Sequence, residues 1–404
     1  MKLIRPFRGL RPEGARASTV IAPPYDVLTS EEARQAVQGR PYSFLHVSKA
    51  EVDLPANTAA SDEIVFRQAA TNWRRLCEEV LKRDEQPCYY CYELTMGAHT
   101  QKGLVATASV AAYEAGRIRR HELTRPDKER DRARHIDALN AQTGPAFLTY
   151  RAHPTIAGLL TQASRGLPEI DALLEGVRHR LWVVSEPGLI EALTSAFDTL
   201  PRVYIADGHH RTAAAKVVAQ SRGESDGPHH WFLAVLFPDN EMQILNYDRV
   251  VADLNGHTGE ALRAELMKNF DVNPESEAVR PSMAAEFGMY LDGQWYRLRY
   301  RGALPADPVA RLDVSLLQDT VLGPLLGITD PRRDHRIDFV GGIRGPKALA
   351  ARIDEAGGVA FALYPTQLSD LMAVADRDGV MPPKSTWFEP KLADGLVSYS
   401  LDPD

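Results

Sequence analysis

Apolar and polar positions follow two different periods along the chain, and these periods predict where helices and strands lie. Apolar residues at helical spacing, such as Ile64, Val65, Ala69 and Trp73, are typical of an amphipathic helix, whereas short apolar runs are typical of strands. The pattern predicts helices at residues 31–38 (capped by Ser30), 61–84, 122–141, 156–164, 168–175, 187–197, 211–220, 314–322, 346–356 and 367–376. It predicts strands at residues 20–27, 88–96, 103–113, 146–150, 181–184, 203–206, 231–237, 243–251, 287–291, 295–300 and 359–363, with 231–237 paired to 243–251.

The order of these elements indicates the fold class. Helices and strands alternate, but without the regular strand–helix–strand repeat of a purely parallel sheet. We therefore expect an α+β, or mixed α/β, fold. The length of 404 residues is too great for one ordinary core and predicts two or three domains, with residues 274–281 as a linker or loop.

Composition and charge narrow the class of protein. Apolar residues make up 44% and charged residues 25%, the balance of a globular protein, and the net charge is −7. No basic stripe dominates the sequence, so we expect no nucleic acid as a partner. We also expect no membrane contact, because no run of about 18 apolar residues is present. The first ten residues lack the apolar segment of a signal peptide, and we expect a cytoplasmic protein.

The three cysteines, Cys77, Cys88 and Cys91, are few for this length and favour a reducing compartment. The spacing of Cys88 and Cys91 is that of a redox or zinc motif, which needs both sulfurs on one side. On the predicted strand the two side chains point to opposite faces, and there is no second pair. We therefore expect a structural role for both.

The strongest chemical signal is the run Asp207-Gly-His-His-Arg211 between a predicted buried strand and an alanine-rich helix. Asp207 is placed to cap the helix, and Gly208 allows a tight turn and the close approach of a ligand. His209, His210 and Arg211 then fall in the first helical turn. Free backbone N–H groups and the helix dipole make such a turn an anion site.

The side chains of this turn add to the anion-binding character. The guanidinium of Arg211 matches phosphate oxygens, and imidazoles can donate hydrogen bonds or transfer protons near neutral pH. Cationic groups have the wrong sign for a helix N-terminus, a local conflict that is typical of functional sites. Two other interpretations stay open: a polar helix start with incidental histidines, and a metal site. Consecutive helical residues diverge by about 100°, which makes two adjacent ligands to one ion unusual.

The Asp207–Arg211 run before an alanine-rich helix resembles the signature of the ParB/sulfiredoxin-like superfamily, and its spelling is most similar to that of the free serine kinases. The resemblance implies that this loop binds nucleotide phosphates, with Thr212 as a further contact. It also implies a nucleotide-binding core at residues 1–255, with an inserted α/β segment at about 40–195. A C-terminal α/β region at 256–404 would then contribute a closing loop.

Nearly the whole chain also resembles one bacterial and archaeal family of unknown function, number 1015 in the series of domains of unknown function. The matching stretches are residues 21–27, 120–124, 128–132 with His135, 144–148 and 381–386. Several motifs in the same order make this resemblance specific. Members are often associated with serine biosynthesis, which would suit a serine kinase.

The resemblance to serine kinases implies a phosphotransferase with Mg²⁺ and with ATP or ADP as phosphate donor. It places an acidic general base after the first strand, where Asp26 is the matching position, although the residues around Asp26 differ from the kinase pattern. Tyr25 beside it would contact the substrate, Glu122 is an alternative base, and His210 is the third expected catalytic residue. From the residues alone, Asp26 is equally a turn residue that hydrogen-bonds to its own backbone.

Two further polar clusters are candidates for binding. Arg120 and His121 follow a predicted strand, while Lys128, Arg132 and His135 fall on one face of the predicted helix at 122–141. That face could bind phosphate or substrate, or it could be a solvated, salt-bridged surface. Near the C-terminus, Lys384, Ser385 and Thr386 follow two prolines, in a loop that could close over a ligand or simply pack on the core. Residues Trp387 and Phe388 would anchor it.

Three functions compete on these patterns. The first is a small-molecule kinase that phosphorylates the hydroxyl of a free amino acid, with L-serine as the favoured acceptor giving O-phosphoserine. The second is a nucleotide-binding or nucleotide-hydrolysing regulatory protein of the ParB type. The third is a metal-dependent phosphohydrolase that uses His121, Glu122 and His135 beside His209. The sequence leaves the identity of any metal ligand unknown, and it leaves open whether the chain forms a homodimer.

Overall fold

The computed structural model describes residues 1–223 and 227–403. The chain divides into two compact units: unit 1 comprises Met1–Met242 and Pro390–Asp404, and unit 2 comprises Gln243–Glu389. The expected domain boundary after residue 255 therefore falls within unit 2, and the last residues of the chain return to unit 1. Both units combine helices with antiparallel or mixed sheets, so the protein is α+β as predicted.

Unit 1 contains a nine-stranded mixed sheet and a smaller four-stranded sheet. Its strands are β1 (Ile4–Arg5), β2 (Gly9–Pro12), β3 (Leu81–Arg83), β4 (Tyr89–Met96), β5 (His99–Ser109), β6 (Ile118–Arg119), β7 (Ala141–Gln142), β8 (Ala146–Tyr150), β9 (Ile170–Leu174), β10 (Val177–Val184), β11 (Val203–Asp207), β12 (Trp231–Pro238) and, at the end of the chain, β21 (Ser398–Ser400). The large sheet has the order β6-β11-β8-β12-β5-β4-β10-β9, with β1 paired to β5. The β12–β8 and β11–β6 pairs are parallel. The small sheet has the order β3-β2-β21-β7.

The helices of unit 1 pack into two apolar cores, one shared with the large sheet and one with the small sheet. They are α1 (Ala17–Val20), α2 (Ser30–Ala36), α3 (Leu45–Ser48), α4 (Glu63–Glu79), α5 (Val110–Glu114), α6 (Pro126–Leu139), α7 (Pro154–Ala163), α8 (Pro187–Asp198) and α9 (His209–Arg222). One core cluster joins apolar residues of the sheet to those of α7, α8 and α9, including Leu104, Leu148, Leu193, Ile205 and Ala215. Helix α9 follows directly on β11, which lies next to the edge strand β6, and packs beside α6.

Unit 2 is built on a six-stranded antiparallel sheet of order β15-β17-β16-β19-β14-β18, with a separate pair β13–β20. Its strands are β13 (Gln243–Leu245), β14 (Tyr247–Val251), β15 (Phe270–Glu275), β16 (Glu286–Leu291), β17 (Gln294–Tyr300), β18 (Ile337–Gly341), β19 (Val359–Leu363) and β20 (Trp387–Glu389). Its helices are α10 (Gly259–Leu266), α11 (Asp313–Leu317), α12 (Gly345–Ala356) and α13 (Leu368–Asp376), and a π-helical turn, Gln318–Leu322, continues α11.

Two predicted features differ from the structure for local reasons. Residues 20–27 are not a strand: α1 ends at Val20, Ala22 makes a single bridge to Asp394, and a 3₁₀ turn follows at Tyr25–Val27. The two prolines at 23 and 24 lack the N–H groups that a ladder needs. The next helix is capped by Thr29, not Ser30, because Thr29 and Glu32 form a reciprocal capping box.

The predicted helix at 168–175 is strand β9. Ile170, Ala172 and Leu174 are buried while Asp171 and Leu173 are exposed, the alternation of a strand with one buried face. The predicted strand at 243–251 is two strands, and neither pairs with β12: β13 pairs with β20, and β14 pairs with β18 and β19. Long-range partners, which local patterns do not encode, determine both outcomes.

Candidate functional site

The turn between β11 and α9 has the strand–glycine–helix geometry that the sequence predicts. Gly208 lies in the left-handed region with φ of 88°, and α9 begins at the next residue, His209. A Cβ atom on Gly208 would lie 3.3 Å from the Cα atom of Ala146. Glycine is therefore needed both for the backbone conformation and for the close approach of the neighbouring strand β8.

Asp207 does not cap the helix as predicted, because Gly208 occupies the cap position and no side chain caps α9. Instead, one carboxylate oxygen of Asp207 accepts a hydrogen bond from the Gly208 N–H at 2.7 Å, and the other accepts one from Lys391 Nζ at 3.0 Å. Burial alone would raise the pKa of Asp207, but the charges of Lys391 and Arg211 outweigh it and hold the pKa well below its usual range. Asp207 is thus a fixed anion beside the helix start.

Arg211 lies in the first turn of α9 and faces carboxylates on the side away from the helix. Its Nη1 donates to the carbonyl oxygen of Pro145 at 2.6 Å, and its Nη2 lies 3.8 Å from Asp26 Oδ2. Burial lowers the pKa of Arg211, but Asp26 and Asp207 more than reverse this effect and raise it. The structure therefore brings the predicted base, Asp26, to the predicted phosphate-binding arginine.

His209 is buried against His121, with the two rings edge to face and their centroids 4.5 Å apart. Burial lowers the pKa of His209 to about 4 and that of His121 to about 3, so both rings are neutral at pH 7. Among the described residues, neither ring nitrogen of His121 has a hydrogen-bond partner of normal geometry, although a backbone contact with Ile205 opposes the effect of burial on its pKa. Glu122 Oε2 lies 3.8 Å from Nδ1 of His209. The structure thus brings three of the predicted residues, His121, Glu122 and His209, close together.

His210 is the more open of the two adjacent histidines. Its Nε2 accepts a hydrogen bond from the backbone N–H of Arg125 at 3.2 Å, which leaves Nδ1 as the protonated nitrogen of the neutral ring. Burial lowers the pKa of His210, although Glu122 and Glu129 oppose this shift. A neutral ring with one N–H can donate to phosphate without adding charge. Its catalytic role stays a prediction.

Arg132 and His135, which the sequence places on one helix face, lie on α6 at the edge of a pocket in unit 1. The Arg132 guanidinium stacks 4.1 Å from the ring centroid of Tyr25 and donates to Asp131 at 2.6 Å. Nε2 of His135 lies 3.0 Å from the carbonyl oxygen of Val47, and burial lowers the pKa of His135 to about 4. Arg132 therefore lines the pocket with its guanidinium already paired, whereas His135 is a buried neutral ring.

The other residues predicted to bind phosphate or substrate do not line this pocket. Arg120 and Lys128 are exposed, while Thr212 is fully buried and its hydroxyl donates to the carbonyl oxygen of Gly208. In unit 2, Lys384 Nζ lies 5.6 Å from the ring centroid of Tyr247.

The Ser385 hydroxyl donates to the carbonyl oxygen of Pro382 at 2.6 Å, and Thr386 follows it in the same loop of unit 2. The roles of all these residues in binding phosphate or substrate stay predictions.

Two residues that the sequence did not single out belong to the site: Lys391, which neutralises Asp207, and Asp394. Asp394 lines the same pocket as Arg132 and Arg211 and is 3% exposed. Burial, reinforced by the charge of Asp26, raises the pKa of Asp394 to about 7. In the sequence, Lys391 and Asp394 stand out only as two charged residues in an apolar tail. Their roles could not be predicted because their partners lie far away in the sequence.

A metal site made from protein side chains alone is not present in the described parts of the chain. Residues 1–223 and 227–403 hold no group of three His, Cys, Asp or Glu side chains that could bind an ion together. The set His121, Glu122, His135 and His209 is therefore not assembled as one centre there. Cys88 and Cys91 are both buried and form no disulfide in the structure, and their structural role stays a prediction. In the same described ranges, no helix is both long and apolar enough to span a bilayer.

Several solved structures resemble this chain. A free serine kinase in complex with AMP is 13% identical, with a TM-score of 0.35, and the match covers 70% of this chain and 86% of that one. SbnI with a C-terminal truncation, from Staphylococcus aureus, is 12% identical with a TM-score of 0.38 and coverage of 72% and 85%. A conserved hypothetical protein from Pyrococcus furiosus is 14% identical with a TM-score of 0.34 and coverage of 72% and 93%. TM-scores this low do not establish a shared overall fold.

No curated protein matches the chain. A family described as "Protein of unknown function (DUF1015)" matches residues 4–315, which include β11, the Gly208 turn and α9. The match covers most of the chain and agrees with the resemblance seen in the sequence motifs. The chain therefore belongs to the DUF1015 family of proteins of unknown function.

Proposed function

We propose that this protein is a small-molecule kinase that transfers a phosphoryl group from ATP or ADP to the hydroxyl of a free amino acid, with L-serine as the favoured acceptor. The observation that carries the proposal is the start of α9. There, the left-handed turn at Gly208 leaves the first-turn N–H groups without a side-chain cap, directly beside His210 and Arg211. Uncapped N–H groups at a helix start are a ready site for phosphate oxygens.

The charges around this helix start suit phosphoryl transfer, which needs positioning and neutralisation of charge more than covalent chemistry. Arg211 is held by the carbonyl oxygen of Pro145, so its guanidinium is fixed before a ligand arrives. Asp207 does not oppose a phosphate with its full charge, because Lys391 is paired with it. His210 supplies a neutral N–H donor at the same turn.

Two carboxylates lie where an acceptor hydroxyl could reach them. Asp26 and Glu122 are about 43% and 35% exposed, and they lie 3.8 Å from Arg211 and His209, respectively. One of them would take the hydroxyl proton as the acceptor oxygen bonds to the terminal phosphorus of the nucleotide. The bond from that phosphorus to its bridging oxygen breaks, and ADP or AMP leaves with the bond electrons.

The same carboxylates fit Mg²⁺, which is usually bound through one or two carboxylates together with substrate phosphates and water. The ion would neutralise charge that develops on the phosphates. Asp26 or Glu122 would hold it from the protein side. A site of this kind needs no preformed group of three protein ligands, in agreement with the described residues.

The proposal is tested by phosphorus NMR and mass spectrometry on the purified chain with Mg²⁺, ATP or ADP, and a panel of free amino acids and hydroxy acids. We expect phosphoserine from the wild type and from His257→Ala, a control in a loop of unit 2, but not from His210→Ala. Nucleotide binding without any phosphorylated acceptor would favour the ParB-type interpretation. Release of phosphate from phosphomonoesters would favour a phosphohydrolase.

A further inference from the structure

The pocket that adjoins the helix start is lined by charged groups of both signs. Asp394, Arg132 and Arg211 meet there with Tyr25 and Ser48. The empty space of the pocket is about 490 Å³ when the open solvent at its mouth is counted. All of these residues belong to unit 1. The pocket is therefore a built feature of a single compact unit.

The two guanidinium groups of this pocket are already paired with carboxylates, and Asp394 adds a third carboxyl group. Arg132 is paired with Asp131, Arg211 lies 3.8 Å from Asp26, and Asp394 is buried near both guanidinium groups. A polyanion would leave these carboxylates close to its own charge, whereas a ligand with one positive and one negative group would add no net charge. This arrangement therefore favours a small zwitterion.

Two details of the pocket bear on a polar ligand: a buried hydroxyl without a partner, and a glycine between the charged groups. Ser48 is 7% exposed, and its hydroxyl oxygen has no hydrogen-bond partner among the described residues. A buried hydroxyl without a partner is costly, which a ligand atom could relieve. Gly144 faces the pocket: a Cβ atom there would lie 3.3 Å from Asp394 Oδ1 and 3.3 Å from Arg211 Cδ. The missing side chain of Gly144 thus leaves open the space between the two charged groups.

We infer that this pocket binds a small zwitterionic amino acid, with the ammonium group on Asp394 and the carboxylate on Arg132 and Arg211. Arg211 also belongs to the first turn of α9, so a ligand held by its guanidinium would lie beside the proposed phosphate site. That this ligand is the phosphoryl acceptor rests on the proposed function. The binding of the zwitterion itself does not depend on it.

Asp394 also gives the binding a pH dependence. The groups that act on it are Arg211 on α9, Arg132 on α6, Asp26 and Tyr25 in the 3₁₀ turn Tyr25–Val27, and the phenol of Tyr92 on β4. Burial and Asp26 favour the protonated carboxyl against the two arginines, which brings its pKa to about 7. An ammonium group binds the ionised carboxylate better, so affinity for the zwitterion should increase as the pH rises from about 6 to about 8.

The test is calorimetric or NMR-detected binding of three ligands to the full chain without nucleotide: L-serine, 3-hydroxypropanoate, which lacks the ammonium group, and ethanolamine, which lacks the carboxylate. We expect the wild type to prefer L-serine by about tenfold or more, equivalent to about 1.4 kcal/mol. Asp394→Asn should abolish the preference over 3-hydroxypropanoate. Glu191→Gln, at an exposed position of α8, is the matched control and should keep it.

Gly144→Ala provides a second variant that keeps every charge and narrows the space between Asp394 and Arg211. We expect it to weaken L-serine binding several-fold and to leave ADP binding within about twofold, a change under 0.5 kcal/mol. Equal binding of L-serine and 3-hydroxypropanoate by the wild type would overturn the inference, as would unchanged L-serine binding by folded Asp394→Asn and Gly144→Ala.

The two proposals can fail separately. If L-serine binds with the expected dependence on Asp394 but no nucleotide binds and no phosphoserine forms, the proposed function is wrong and the zwitterion site stands. If phosphoserine forms equally well in the wild type, Asp394→Asn and Gly144→Ala, the kinase stands and this pocket is not its acceptor site.

Discussion

Lys391 Nζ lies 3.0 Å from Asp207 Oδ2, and the two residues are 184 positions apart in the sequence. This ion pair joins the segment that re-enters unit 1 to the carboxylate at the end of β11. It allows a permanent anion to lie next to Gly208 and the start of α9 without repelling a second anion there. The C-terminal segment is therefore part of the candidate site and not an appendage to it.

Loss of this pair should destabilise unit 1. Lys391→Met removes one of the two hydrogen bonds described above for Asp207 and leaves the one from the Gly208 N–H. It should lower the free energy of unfolding by about 2 kcal/mol, the usual effect of losing a hydrogen bond to a charged group. Lys268→Met, which breaks an exposed pair with Glu265, should cost less than about 1 kcal/mol. Urea unfolding of both variants at neutral pH measures the difference. Equal losses would mean that the Lys391 pair is an ordinary surface contact.

Gly208→Ala should impair both folding and phosphate binding. The residue has φ of 88°, which costs about 1–2 kcal/mol for a residue with a side chain, and the new methyl group would approach Ala146. Gly158→Ala in α7 is the matched control, because nothing lies within 4 Å of its Cβ position and alanine is favoured in a helix by about 0.5–1 kcal/mol.

In thermal melts, the unfolding temperature should therefore fall for Gly208→Ala and rise for Gly158→Ala. The affinity for ADP should fall only in Gly208→Ala. A stable Gly208→Ala variant with normal ADP binding would show that the turn is not the phosphate site.

The sequence was sufficient for the turn at Gly208 because every signal there is local. A buried strand, a glycine and an alanine-rich helix follow one another, so propensity and pattern agree. Asp394 and Lys391 could not be placed in the same way, since their partners are fixed only when the last segment returns to unit 1. The helix predicted at 168–175 failed for a related reason: pairing with β10 decides its conformation.

His121→Phe separates a structural role from a functional one. Both ring nitrogens of His121 are buried without a partner of normal hydrogen-bond geometry in the described structure, and unsatisfied groups of this kind cost about 1–3 kcal/mol. Phenylalanine keeps the edge-to-face contact with His209, so we expect equal or greater stability at pH 7. If His121 serves the proposed reaction, phosphoserine formation should fall in the same variant. A loss of stability at pH 7 would show that the ring nitrogens make favourable contacts.

The pH dependence of that variant has a definite sign. Burial lowers the pKa of folded His121 to about 3, against about 6.5 in the unfolded chain, so the unfolded state takes up a proton first on acidification. Wild-type stability should therefore fall as the pH drops from about 6.5 towards 3. His121→Phe removes one contributor and should flatten this fall, which urea unfolding between pH 4 and pH 8 would detect as a smaller slope.

Asp394→Asn should show the opposite sign. The pKa of folded Asp394 is raised to about 7 by burial, whereas an unfolded aspartate titrates near 3.9. Its stabilising contribution is therefore fully present below about pH 4 and is lost as the pH rises to about 7, at no more than about 1.4 kcal/mol for each pH unit. Asparagine has the same shape and no proton to lose, so the variant should gain stability relative to the wild type between pH 4.5 and pH 8. A constant difference in unfolding free energy between the two proteins across this range would show that Arg211 and Arg132 keep Asp394 ionised throughout. In that case the pH dependence expected for zwitterion binding should be absent as well.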